Sequence, residues 1–228
     1  IERLFVKMRA NENVFPPKED LVNDFNWYMK NNREAFTPEA FKLKTDYGEK
    51  ILPAYYEYHI NRWNKIVIVE KAVRNVAVQN VPINGKLDKL EFNGKQVNVV
   101  DYKTGKYENA KKKLVPPNDK EPNGGDYWRQ AVFYKILLDN DRTNDWQAVS
   151  TEFDFIEPVN DEYKTEIIQV NSADITTVTH QITDTWQKIQ NKDFKTGCGK
   201  PDCEWCNFVK SNNLVVTLHD PESDEDIN

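Results

Sequence analysis

The chain has 228 residues, of which 39% are hydrophobic, 30% charged and 12% aromatic, with a net charge of −6. That length can bury a sizeable core, and the aromatic content excludes a disordered chain. Apolar runs such as Ile66-Val67-Ile68-Val69 fall far short of the roughly 20 residues a spanning helix needs, so a membrane protein is excluded.

No charged-then-apolar leader pattern opens the chain. Residue 1 is Ile within a helical pattern, which reads as a fragment of something longer. Ile1 to Ala10 reads as the end of a helix. Pro17 opens a second, with Leu21, Val22, Phe25 and Met29 at helical spacing. Thr37 followed by Pro38 is an N-cap with Pro at the first helical position; that helix runs to about Trp63, with a kink near Pro53. From Lys65 the period changes. Ile66 to Val78 reads as strands with a turn near Arg74-Asn75, Val81 to Phe92 as a strand, Asn93-Gly94 as a hairpin turn, and Val97 to Lys103 as the next strand. Gly105 to Asp126 reads as one long polar loop. Tyr127 to Leu138 is a helix, Trp146 to Glu157 with Tyr163 to Val170 a hairpin, and Ser172 the cap of a last long helix. This order gives an α/β domain, a mixed, mainly antiparallel central sheet flanked by helices.

The chemistry concentrates in Asn84 to Asp88 and in Val99 to Gly105. Residues i and i+2 of a strand face the same way, so Asp101 and Lys103 share a face with Val97 and Val99, and Val100 and Tyr102 take the other. With Asn93-Gly94 as the turn, Asp88 falls near the register of Asp101. Two carboxylates on adjacent strands suit a hard divalent cation such as Mg²⁺, which polarises a phosphoryl oxygen and activates a bound water. A lysine beside them orients or deprotonates that water and offsets charge on the phosphate. The ordinary alternative for Asp101 and Lys103 is a solvated surface pair.

Gly85-Lys86-Leu87-Asp88-Lys89-Leu90, followed by Val99-Val100-Asp101-Tyr102-Lys103-Thr104-Gly105, resembles the RecB-type branch of the PD-(D/E)XK nuclease superfamily. Gln130-Ala131-Val132-Phe133-Tyr134 is similar to that branch's Gln-x-x-x-Tyr helix motif, with Tyr134 as a core aromatic beside Phe133 the alternative. The resemblance covers roughly residues 45 to 210 and looks closest to the nuclease domain at the C-terminus of UvrD/AddB-like helicases. It implies a restriction-endonuclease-like core, with Asp88 and Asp101 as ligands of Mg²⁺ or Mn²⁺, Lys103 as the catalytic lysine, and Gln130 and Tyr134 beside DNA. Glu70 resembles a further acidic position; a solvated Glu-Lys pair is the alternative. The branch also carries a metal-binding His on its first helix. Ile1-Glu2-Arg3-Leu4-Phe5 resembles the end of that motif, which would put the His before Ile1. His59, within Tyr55-Tyr56-Glu57-Tyr58-His59, reads as packing.

Cys198, Cys203 and Cys206 lie within nine residues. Three thiols so placed are a poor disulfide framework and suit Zn²⁺ or an iron–sulfur cluster in a reducing cytoplasm, with free structural thiols as the alternative. Related helicase-associated nucleases use such a group plus an upstream Cys to hold a [4Fe–4S] cluster, although Cys-x4-Cys-x2-Cys matches their spacing incompletely. Lys106 and Lys111-Lys112-Lys113 follow the site strand and read either as phosphate contacts or as a solvated loop.

The expectations are therefore a domain over 1–216, with a helical N-terminal segment over 1–64, a nuclease core over 65–195 and a cysteine segment over 196–210, and a disordered acidic tail over 217–228. Its work would be hydrolysis of DNA phosphodiesters in repair or recombination, exonuclease rather than endonuclease, on single strands delivered by a helicase motor. The alternative is a catalytically silent DNA-binding or scaffolding module of the same fold.

Overall fold

A computed structural model describes residues 1–193 and 203–211. The chain divides into two compact units, Ile1–Val178 and Thr179–Asn228. The expected acidic tail and Cys198 lie outside the described residues.

The first unit opens with three helices, α1 (Glu2–Ala10), α2 (Lys18–Asn31) and α3 (Pro38–His59). The Thr37 side chain accepts the Ala40 N–H at 3.2 Å and Pro38 stands in the first turn, so the entry to α3 forms as its sequence requires. Three strands follow, β1 (Val67–Val78), β2 (Val81–Asn93) and β3 (Gln96–Lys103). The β1–β2 turn is Gln79-Asn80, both at positive φ, as a two-residue hairpin of this hand requires. This corrects the turn expected at Arg74-Asn75, where the register shifts between Val73 and Val76 and Asn75 stands at φ 58°. The polar pair is a bulge inside one long strand. Gly94, at φ 62°, closes the β2–β3 hairpin where it was expected.

The segment after β3 is also corrected. It contains a short helix, α4 (Tyr107–Ala110), and a 3₁₀ turn over Lys111–Lys113. Ala110 is buried with Ala131, Phe153 and Phe155, and Tyr107 and Leu114 pack on that cluster, so apolar anchors fold a loop whose overall composition is polar. Helix α5 (Asp126–Asp139) then leads to β4 (Gln147–Phe155) and β5 (Thr165–Ile168). The strands order β1-β2-β3-β4-β5, parallel only between β3 and β4. Helix α6 (Ser172–Gln190) spans the boundary between the units, and α7 (Glu204–Ser211) lies in the second. The start of α6 is capped one residue before the expected Ser172: Asn171 Oδ1 accepts the N–H groups of Ala173 and Asp174, and Asp174 accepts that of Asn171.

Both faces of the sheet are covered. On one, Leu4, Phe5 and Met8 of α1 and Leu52 and Tyr55 of α3 form a core with Trp63 and Val67, joined by Tyr102. On the other, Ala131 of α5 packs on Phe153 and Phe155. Neighbours in a ladder share a face, and Asp101 pairs with Phe153 while Tyr102 pairs with Asp154. Asp101 therefore faces the α5 side and Tyr102 the helical N-terminal side. No helix among the described residues is long and apolar enough to cross a membrane.

Candidate active site

The site forms where β2 and β3 part. Their ladder runs from Asn93↔Gln96 to Lys89↔Val100 and stops there. The next residues along are Asp88 and Asp101. Instead of continuing the ladder, the Tyr102 N–H donates to Asp88 Oδ2 at 3.1 Å. Across β2, the pairs Val69↔Lys89 and Lys71↔Leu87 bracket Glu70, which stands at φ 56°. Beyond this break β2 lies close to α5: a Cβ on Gly85 would meet Leu137 Cδ2 at 2.7 Å, so a larger residue there would make the Leu137 side chain shift.

Asp101 is buried, and both its oxygens are engaged. Tyr134 donates to Oδ1 at 2.7 Å, and Lys103 Nζ lies 2.7 Å from Oδ2. Lys103 also donates to Gln130 Oε1 at 2.7 Å, and Gln130 Nε2 donates to the Tyr134 hydroxyl at 2.7 Å. These four contacts close a ring: Asp101, Lys103, Gln130, Tyr134. The four-residue spacing of Gln130 and Tyr134 on α5 puts both on one helix face. Tyr134 is therefore tied into the site and is more than core packing; burial and the Asp101 charge hold its hydroxyl well above the usual phenol range. The Lys103 ammonium lies 4.3 Å from the Tyr127 ring centre and 5.1 Å from that of Phe153. Such rings favour a cation shielded from water.

Asp88 is half-buried. Burial first, and then the Asp101 charge, push its carboxyl up to about 6; the Tyr102 N–H and Lys103 pull the other way. Two carboxylates thus sense each other across the parted strands, the situation a divalent cation relieves. Among the described residues no group of three or more His, Cys, Asp or Glu could hold a metal. Two carboxylates fit a hard ion that keeps most of its waters.

The other candidates are placed as follows. Glu70 is exposed and paired with Lys86, and the structure does not bring it into a group with Asp88 and Asp101. Its positive φ and the lysine on the facing strand direct it elsewhere. His59 is buried between Tyr55, Tyr58, Trp63 and Tyr163. Burial, helped by Lys89 and Arg62, lowers it to about 4, so it stays a neutral ring in the core. Lys106, Lys111 and Lys112 are exposed; Lys111 pairs with Glu108 at 2.8 Å, and Lys113 stands 5.1 Å from the Tyr127 ring centre. Cys203 immediately precedes α7 and Cys206 lies in its first turn, both half-buried.

Two contributors escaped the sequence reading. Tyr127 precedes Gln130 by three and Tyr134 by seven, a helical stripe that marks it as belonging to the same face. Glu2 adds a negative charge that also raises Asp88; nothing local in the sequence links α1 to β2.

Residues 13–211 match the family model described as the PD-(D/E)XK nuclease superfamily. Among solved structures, a provisionally named exonuclease from Eubacterium rectale aligns at 13% identity over 88% of this chain and 78% of that chain, with a TM-score of 0.49. SSO0001 aligns at 14% identity over 83% of this chain and 85% of that one, with a TM-score of 0.37. No curated protein sequence is significantly similar to this chain.

Proposed function

This chain belongs to the PD-(D/E)XK nuclease superfamily, and from that premise we propose that it hydrolyses DNA phosphodiesters with Asp88 and Asp101 holding Mg²⁺ or Mn²⁺ and Lys103 serving the reacting phosphate. One observation carries the reading: the two acids meet at the end of the β2–β3 ladder, with the lysine on Asp101. A bound cation would supply Lewis-acid polarisation of the phosphoryl oxygen and a more acidic water.

The chain's own residues do the rest. Tyr134 fixes one oxygen of Asp101 and leaves the carboxylate a single orientation. The Tyr102 N–H does the same for Asp88. Gln130 holds the Lys103 ammonium at the site without neutralising it, because an amide oxygen accepts a hydrogen bond and carries no charge. That ammonium is placed to donate to the phosphate oxygens as negative charge builds on them. With Asp88 and Asp101 holding the cation, Lys103 would be free to turn from its Asp101 salt bridge to the phosphate, and Gln130 would keep it in reach.

The finer reading is a RecB-type nuclease working with a helicase motor, digesting single strands from an end. Lys106 and Lys111 to Lys113 lie directly after the site strand on an ordered turn, which suits a strand approaching Lys103. Gln130 and Tyr134 would touch DNA from the edge of the ring they form. Cys198, Cys203 and Cys206 would take a [4Fe–4S] cluster or Zn²⁺ with a structural role, and a reducing compartment suits their thiols; no catalytic step runs through them.

The test is digestion of end-labelled single- and double-stranded DNA with Mg²⁺ or Mn²⁺. Release of mononucleotides or short pieces from one end of single strands supports the reading. Internal nicks with no end dependence would replace exonuclease by endonuclease. DNA binding without cleavage in either metal would favour the scaffolding alternative.

A further inference from the structure

Behind the site, on the sheet face opposite Asp101, runs a row of buried and half-buried polar groups that the chemistry does not use. Lys89 is only 2% exposed although it is a lysine. Its ammonium lies 2.9 Å from Glu91, 5.2 Å from the Tyr102 ring centre and 4.8 Å from that of Phe5. Asp154, also buried, pairs in register with Tyr102 and accepts the Tyr55 hydroxyl at 2.6 Å. Glu152 pairs in register with Val100 and accepts from Asn98 at 3.1 Å. One cation thus serves a layer of carboxylates contributed by β2 and β4. Asp154 Oδ1 has no hydrogen-bond partner among the described residues, so burying this group is a weak source of stability; specifying one arrangement is the role such a network has in some proteins.

The arrangement it specifies is legible in the ladder. Lys89↔Val100 is the last β2–β3 pair before the strands separate. Lys89 adjoins Asp88 in sequence, and Tyr102 adjoins Asp101. The Tyr102 N–H, freed from the ladder, is the donor to Asp88. So the two residues that define the separation, Lys89 and Tyr102, touch each other on the far face, ammonium over ring, while their neighbours face the site.

We infer that the Lys89–Tyr102 contact is a positioning element that fixes β2 and β3 at the register in which the Tyr102 N–H orients Asp88 for a divalent cation. This rests on the proposed role of Asp88. The contact needs the Tyr102 ring and not its hydroxyl, which is buried and has no hydrogen-bond partner among the described residues.

The test is the calorimetric affinity of the protein for Mn²⁺ alone, with folding followed by circular dichroism. Lys89→Met with Glu91→Gln removes the cation together with its ion-pair partner, while Asp154 and Glu152 keep their hydrogen bonds from Tyr55 and Asn98. This variant, and Tyr102→Leu, are expected to bind Mn²⁺ about 10-fold or more weakly, the range usual for groups that orient a metal ligand. Tyr102→Phe is expected to keep wild-type affinity. The Tyr102 amide should also exchange with solvent faster in the Lys89→Met/Glu91→Gln protein, which a loss of stability elsewhere would not single out. Folded variants with wild-type Mn²⁺ affinity would overturn the inference while leaving the nuclease reading intact. Loss of affinity in Tyr102→Phe would overturn the ring-based account. Absence of Mn²⁺ binding by the wild-type protein would overturn both.

Discussion

The Tyr134 hydroxyl donates to Asp101 Oδ1 at 2.7 Å while accepting from Gln130 at the same distance. One phenol on α5 thereby couples the β3 acid to the amide that holds Lys103. Tyr134→Phe keeps the ring and removes this coupling. Asp101 Oδ1 then loses a donor in a buried position, and Gln130 Nε2 loses an acceptor. The expected result is a loss of cleavage rate of about 10- to 100-fold, the range for groups that orient a metal ligand. Stability should fall by about 1–3 kcal/mol, the usual cost of a buried polar group left unpaired. Steady-state cleavage and urea unfolding measure the two.

Gln130→Glu tests why an amide stands beside Lys103. A carboxylate there would neutralise the ammonium and add a third negative charge near Asp101. Cleavage should fall, while the folded structure is kept. Gln130→Ala, which frees the lysine without neutralising it, should fall less. Equal activity of Gln130→Glu and wild type in a rate assay would contradict the assignment.

The pH dependence follows from Asp88. Its carboxyl is raised from 3.8 to about 6 by burial and by Asp101. The folded protein therefore binds more protons than the unfolded chain between these values, and stability falls as pH rises from about 4 to about 6. Asp154, likewise raised to about 6 by burial, contributes with the same sign. His59, lowered to about 4, acts oppositely: its stabilisation is complete above its unfolded value of 6.5 and is lost as pH falls toward 4. Comparing wild type with Asp88→Asn isolates the first contribution. The variant should gain stability relative to wild type as pH rises through the 4–6 window, measured as melting temperature against pH without divalent metal.

Glu70→Gln tests Glu70 against Asp88 as a cation ligand. Glu70 is exposed and paired with Lys86. Exposed pairs of this kind contribute little to stability. Glu70→Gln should leave cleavage within about threefold of wild type, whereas Asp88→Asn should abolish it. A matched loss in both would move Glu70 into the cation site.

Much of the fold was legible because its signals are local. The cap at Thr37 and the turn at Gly94 each depend on a few adjacent residues. The acids and the lysine were legible because strand alternation fixes which side chains share a face. What the sequence concealed was non-local or competed with a second local signal. Arg74-Asn75 has turn chemistry, yet long-range pairing with β2 keeps it inside a strand as a bulge. The lysine-rich segment has loop composition, but Tyr107, Ala110 and Leu114 anchor it to a core assembled from α5 and β4. Lys89 reads as an ordinary alternating polar position, and only the sheet reveals that its face is covered by α1. The closed ring through Gln130 likewise needed α5 to be set against β3, a placement no spacing encodes.

The most direct test of the central claim is Mg²⁺- or Mn²⁺-dependent cleavage of end-labelled DNA by the wild-type protein beside Asp101→Ala and Lys103→Ala. The account predicts cleavage by wild type that chelation abolishes, none by Asp101→Ala, and a loss of at least about 100-fold in Lys103→Ala, as for removal of a group that stabilises transition-state charge. Cleavage that persists in Asp101→Ala at the wild-type rate would contradict it, and would place the reacting groups elsewhere on the molecule.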